Sequence, residues 1–189
     1  MLKKDDRFSG VIVIGHSEGS LIGMIAANKE NADAYISIAG TGKSADELIK
    51  EQLKAQPQQV IDLAYPIIES LSNGQTVDDI PPFLFSLFRP SVQHYMISWM
   101  KYDPVLEMKK LTIPTLILQG STDIQVSMED AELLSNANDN SELKIINGMN
   151  HILKEVESDW EINLSTYNNP NLPIVKELVN LIVEFIRKN

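Results

Sequence analysis

The stretch Val11-Ile12-Val13-Ile14-Gly15-His16-Ser17-Glu18-Gly19 decides the fold. Four consecutive β-branched apolar residues predict a strand buried on both faces, the habit of parallel sheets. Gly15 ends the run, and a helix is predicted over 20–28. There Gly19, Gly23 and Ala27 recur every fourth residue and leave one face bare enough to lie close on a sheet. A serine at a sharp strand-to-helix turn is raised above the sheet, and the helix's first N–H groups point at whatever it attacks. The turn is tight, so a Cβ at either flanking glycine is expected to clash.

Outward from this elbow, a second strand over 34–39, closed by Gly40, completes a right-handed parallel βαβ unit. Residues 41–110 then read as helices alone. Ser44-Ala45-Asp46-Glu47 is a capping box. Val60, Ile61, Ala64, Ile67, Ile68 and Leu71 form an apolar stripe, with a kink expected at Pro66 and a stop at Asn73-Gly74. Ser91 is expected to cap a helix that carries Val92, Tyr95, Met96, Trp99 and Met100 on one face. Strands return at 115–119 and 142–146, separated by a helix that opens at Ser127. After a loop, Pro173 stands near the start of a final helix whose buried face is Ile174, Val175, Leu178, Leu181, Ile182 and Phe185. Residues 1–10 read as the end of a helix feeding the first strand. The expected class is α/β: a mostly parallel sheet of about four strands with helices on both faces. Its core is 1–40 and 111–189, with a helical lid or cap inserted at 41–110.

A serine hydroxyl needs a base and a group to orient that base. Asp123 lies just past the strand 115–119, and His151 just past the strand 142–146. Both therefore fall beyond the C-terminal ends of parallel strands, where open α/β sheets gather ligands. The predicted triad is Ser17 as nucleophile, His151 as base and Asp123 as orienting acid, with the backbone N–H of Glu18 as oxyanion donor. Asp130 and Glu129 are alternative acids, but they suit the capping of a helix start. His16 sits inside the elbow and His94 inside the insertion, which leaves His151 as the base. Phe83, Phe85, Phe88, Tyr95 and Trp99 read as core of the insertion or as walls of an acyl pocket.

The chain has 189 residues, 16 Lys and Arg against 26 Asp and Glu, and a formal charge of −10. That balance argues against nucleic acid as a partner, since phosphate binding needs clustered cations. With no Cys, disulfides, thiol catalysis and thiolate metal sites are excluded. The three His are too scattered for a metal centre, so no metal is expected. No apolar run reaches the ~18 residues of a membrane span, and the N-terminal residues lack a signal-peptide core. The default compartment is cytoplasmic.

These features resemble the α/β-hydrolase family, especially its lid-bearing esterases and serine aminopeptidase-like members. The resemblance rests on the elbow Gly15-His16-Ser17-Glu18-Gly19, the helical insertion, the acid loop Gly120-Ser121-Thr122-Asp123 and the loop Gly148-Met149-Asn150-His151. It implies hydrolysis of a carboxylic ester, thioester or amide of a small-molecule acyl substrate through an acyl-serine, with no cofactor. The family places its nucleophile after the fifth of about eight strands, whereas here it follows the first. The N-terminal part of the fold is thus expected to be missing, together with the loop that gives the second oxyanion donor. Weak activity in a truncated form follows, the alternative being a non-catalytic remnant or interaction module that retains the triad. A homodimer covering the open edge of strand 11–14 is also expected.

Overall fold

The computed structural model describes Lys3 and residues 5–189. In chain order the elements are β1 (Ile12–His16), α1 (Glu18–Lys29), β2 (Ala34–Ile38), α2 (Ala45–Leu53), α3 (Gln58–Ser72), α4 (Phe85–Phe88), α5 (Pro90–Trp99), α6 (Pro104–Lys109), β3 (Thr115–Gly120), α7 (Met128–Asn136), β4 (Ser141–Ile146), α8 (Trp160–Thr166) and α9 (Lys176–Lys188). They divide into two compact units, Lys43–Asp103 and the described residues of Met1–Gly42 with Pro104–Asn189.

The larger unit is built on one sheet of order β1-β2-β3-β4, parallel at every pairing. β2 and β3 are buried at every residue, as central strands between two helical layers must be. Alternation of side chains along the strands assigns the two faces. Ile36, Ile38, Leu116 and Leu118 pack with Leu178 and Phe185 of α9. Tyr35 and Ile117 pack with Met24 and Ala27 of α1, Met108 of α6, and Ala131 and Leu134 of α7. The helices that return the chain between neighbouring strands therefore share one face, as crossovers of one hand require. α6 packs in this unit, so the boundary falls at Asp103 and not at Lys110.

β1 departs from the expectation of burial on both faces. Among the described residues it pairs only with β2, and Ile14 is 48% exposed. The N–H of Ser17 donates to the Ile38 carbonyl and the N–H of Asp33 to the Val11 carbonyl, so odd-numbered residues face β2. The backbone groups of Ile12, Ile14 and His16 point along the open edge.

Other differences have local causes. Residues 5–10 form turns and bends where a helix end was expected; Met1, Leu2 and Lys4 of that expectation lie outside the described residues. α8 occupies a stretch that reads as loop, because its apolar residues do not fall on the buried face: Asn163 and Thr166 are buried while Trp160, Ile162 and Leu164 are exposed. Ile174 precedes α9 and is exposed, whereas Val175, Leu178 and Phe185 are buried as expected.

In the smaller unit, which is helical among its described residues, Ile67, Ile68, Leu71, Leu84, Phe88 and Met96 form the core. The N–H of Ser44 donates to Glu47 Oε2, the predicted capping interaction. α3 runs as one helix through Pro66 and ends at Ser72, with Asn73 as its C-cap and Gly74 at φ 79°. Pro90 takes the first position of α5, so Arg89 and not Ser91 occupies its N-cap. Of the aromatic group, Phe88 is buried and Trp99 partly so, but Phe83, Phe85 and Tyr95 are exposed and do not belong to this unit's core.

Candidate active site

Three loops at the C-terminal ends of β1, β3 and β4 supply the residues that the sequence singles out. Ser17 joins β1 to α1 with φ 55° and ψ −126°, a left-handed conformation that costs a non-glycine residue about 1–3 kcal/mol. Bonds on both sides hold it there: its N–H continues the ladder to Ile38, and its carbonyl accepts the N–H of Ser20 at 2.9 Å. A Cβ on Gly15 would stand 2.2 Å from the Gly19 carbonyl oxygen, so that glycine is required. At Gly19 a Cβ would meet nothing within 4 Å, which corrects the expectation that both glycines are sterically needed. Gly19→Ala is expected to leave the unfolding midpoint unchanged or raise it by the ~1 kcal/mol helix preference of Ala over Gly. Urea denaturation showing a loss above ~1 kcal/mol would contradict this.

Beneath the elbow lies a buried polar group. The Tyr35 hydroxyl donates to the Ser20 carbonyl at 2.7 Å, and Ser20 Oγ meets Tyr35 Oη at 2.9 Å and Ser37 Oγ at 2.7 Å. Burial raises the Tyr35 phenol pKa and keeps it a donor.

The structure brings Ser17, His151 and Asp123 together. His151 Nε2 lies 3.0 Å from Ser17 Oγ, and His151 Nδ1 lies 2.8 Å from Asp123 Oδ2. The carboxylate accepts the Nδ1 proton, which leaves Nε2 free to accept from the serine hydroxyl. The side chain of Asp123 is wholly covered and that of His151 nearly so. Asp123 Oδ1 accepts the N–H groups of Gln125 at 2.8 Å and Val126 at 3.0 Å, while Oδ2 also accepts Gln119 Nε2 at 3.2 Å. These bonds both satisfy the buried charge and fix its direction.

The remaining candidates separate by position. Asp130 is buried and accepts Thr41 Oγ1, the Gly42 N–H and the Ser127 hydroxyl, so it caps α7 and ties the segment after β2 to it. The N–H of Glu18 is among the first of α1, a class left without intrahelical acceptors. Partial burial raises the pKa of the Glu18 carboxyl above its ordinary value. Among the described residues, no group of three or more acidic or His side chains could hold a metal. No helix there is long and apolar enough to cross a membrane.

Several supporting residues were not legible in advance. His16 Nε2 donates to the backbone carbonyl of His151 at 2.8 Å, strapping the elbow to the loop that carries His151. Gln119 is a polar side chain at the end of the apolar run Leu116–Leu118, four residues before Asp123; that pattern was the available signal. Asn150 closes the His151 loop through its N–H to the Lys154 carbonyl and its Oδ1 from the Lys154 N–H, both 2.9 Å.

No family model matches the chain. It is 30% identical over 158 residues to the esterase EstD of Thermotoga maritima, a match that covers 81% of this chain and 37% of that protein's length. Among solved structures, Est1E from Butyrivibrio proteoclasticus superposes with a TM-score of 0.57 at 21% identity, over 98% of this chain and 65% of the other. The chain has the α/β-hydrolase fold. A bromoperoxidase from Bacillus anthracis has the same α/β-hydrolase core, with a TM-score of 0.55 at 17% identity over 98% of this chain and 70% of its own. Names as different as these on one fold show that the chemistry must be argued from the site.

Proposed function

We propose that this chain is a serine hydrolase acting on carboxylic esters through an acyl-serine intermediate. The observation that carries the reading is the continuous chain from Ser17 Oγ to His151 at 3.0 Å and on to Asp123 at 2.8 Å, with the acid buried and fully bonded. Among carboxylic acyl groups, esters are favoured because the relative matched at 30% identity is named an esterase.

In the proposed reaction Ser17 Oγ attacks the acyl carbon as its proton passes to His151 Nε2. The charge that builds on the acyl oxygen meets the Glu18 N–H at the start of α1. The tetrahedral adduct collapses, the bond to the leaving alcohol breaks, and that alcohol takes the proton from His151. Water then gives a proton to the same nitrogen and attacks the acyl-serine. The acid product departs and Ser17 regains its proton. Asp123 keeps the imidazole in the tautomer this cycle needs and stabilises the cation formed within it.

A fluorophosphonate probe tests the reading, because covalent capture of Ser17 reports the nucleophile and base even where turnover is slow. Wild type is expected to be labelled at neutral pH and to hydrolyse a short-chain p-nitrophenyl ester. Ser17→Ala, with an unchanged circular dichroism spectrum, is expected to lose both. Labelling that persists in Ser17→Ala, or folded wild type that does not label, would overturn the proposal.

A further inference from the structure

We infer that Asn163 of α8 is a positioning residue that fixes the acid and base loops against each other; the inference rests on the triad reading above. Asn163 is fully buried. Its Nδ2 donates to the Thr122 carbonyl at 2.7 Å, and its Oδ1 accepts from Asn150 Nδ2 at 3.2 Å. Thr122 immediately precedes Asp123, and Asn150 immediately precedes His151. One side-chain amide thus spans the two residues from which the acid and the base depart.

The rest of α8 reinforces this link. Asn150 Nδ2 also donates to Thr166 Oγ1 at 2.8 Å, and that hydroxyl donates back to the Asn163 carbonyl at 2.6 Å. The helix meets its unit through polar side chains while Trp160, Ile162 and Leu164 stay exposed. Hydrophobic burial on this face would be cheaper than desolvating an amide, so polar residues persist here for direction and not for bulk. An amide is suited to the place because it donates to one loop and accepts from the other at a fixed spacing.

Asn163→Asp keeps the shape and the acceptor but presents a carboxylate oxygen to the Thr122 carbonyl. Asn163→Leu removes both bonds. Two readouts are needed. The first is the rate of Ser17 labelling by the fluorophosphonate probe, expected to fall by ~10²-fold, the scale of a displacement near 1 Å. The second is the low-field proton resonance of His151 Nδ1–H bonded to Asp123, expected to shift or broaden in both variants while their amide spectra stay dispersed. A purely structural role for Asn163 would not move that resonance in a folded protein. Trp160→Ser, on the exposed side of α8, is expected to leave both readouts unchanged. If neither Asn163 variant folds, Thr166→Val carries the test with the same resonance. A folded variant with the wild-type resonance and labelling rate would overturn the inference, as would the absence of the resonance from wild type. Wild type that shows the resonance but does not label at Ser17 would count against the hydrolase reading alone.

Discussion

Asp123→Asn is expected to slow labelling of Ser17 by about 10⁴-fold, the scale found when the acid of a Ser-His-Asp triad becomes its amide. The surroundings explain why so small a change has so large an effect. Oδ1 accepts two backbone N–H groups, from Gln125 and Val126, so the carbonyl oxygen of an asparagine is held there. Its NH₂ group must then face His151 Nδ1, which becomes an acceptor. The ring proton moves to Nε2, and Ser17 loses the lone pair that would take its proton. The same NH₂ meets Gln119 Nε2, donor against donor. Turning the Gln119 amide over would bring its buried, unpartnered Oε1 to the asparagine, but would lose the bond to the Val126 carbonyl at 2.9 Å. The fold is expected to survive, since volume and backbone contacts are kept. Labelling rates of folded Asp123→Asn within tenfold of wild type would show that Asp123 does not orient the base.

Gly120→Ala is expected to destabilise the protein by about 3 kcal/mol or more, toward the upper range for overpacking. The added Cβ would lie 1.9 Å from the Met149 carbonyl oxygen and 2.6 Å from its carbon. Both are backbone atoms, so no rotamer change can relieve the contact. That carbonyl also accepts the Thr122 N–H at 3.2 Å, and Met149 is fully buried. Any retreat of Met149 therefore carries Asn150 and His151 with it and loosens the acid loop. Urea denaturation should show a lower midpoint at unchanged slope, together with slower Ser17 labelling. A wild-type midpoint would mean that the two loops can separate without cost.

The sheet was legible because its evidence is local. A β-branched apolar run marks Ile12–His16 and short apolar-rich runs mark Ala34–Ile38 and Thr115–Gly120, and Gly15 and Gly40 punctuate them. Ser17, Asp123 and His151 were legible because one chain-order rule places all three beyond strand ends, and the structure brings them within hydrogen-bonding distance. Side-chain bonds that depend on depth and direction were not legible. Asn163 and Thr166 look like solvent residues in α8, because its apolar side chains suggest the opposite buried face. The run of Val and Ile by itself does not show the exposure of Ile14, since it states what a strand can bury and not which neighbours it has; the open edge of strand 11–14 was expected only from the family resemblance. Gly19 looked equivalent to Gly15 in the motif, yet only Gly15 is crowded.

Ser17 and His151 stand on opposite borders of the sheet, Ser17 after β1 and His151 after β4, while Asp123 follows β3, the strand next to β4. A change in sheet twist would thus leave the imidazole and carboxylate nearly as they are and act mainly on the serine–imidazole gap. The bond from His16 to the His151 backbone crosses that same span without passing through β2 or β3. It makes the reactive distance a property of a closed mechanical loop, in which the four strands form one limb and a single imidazole the other.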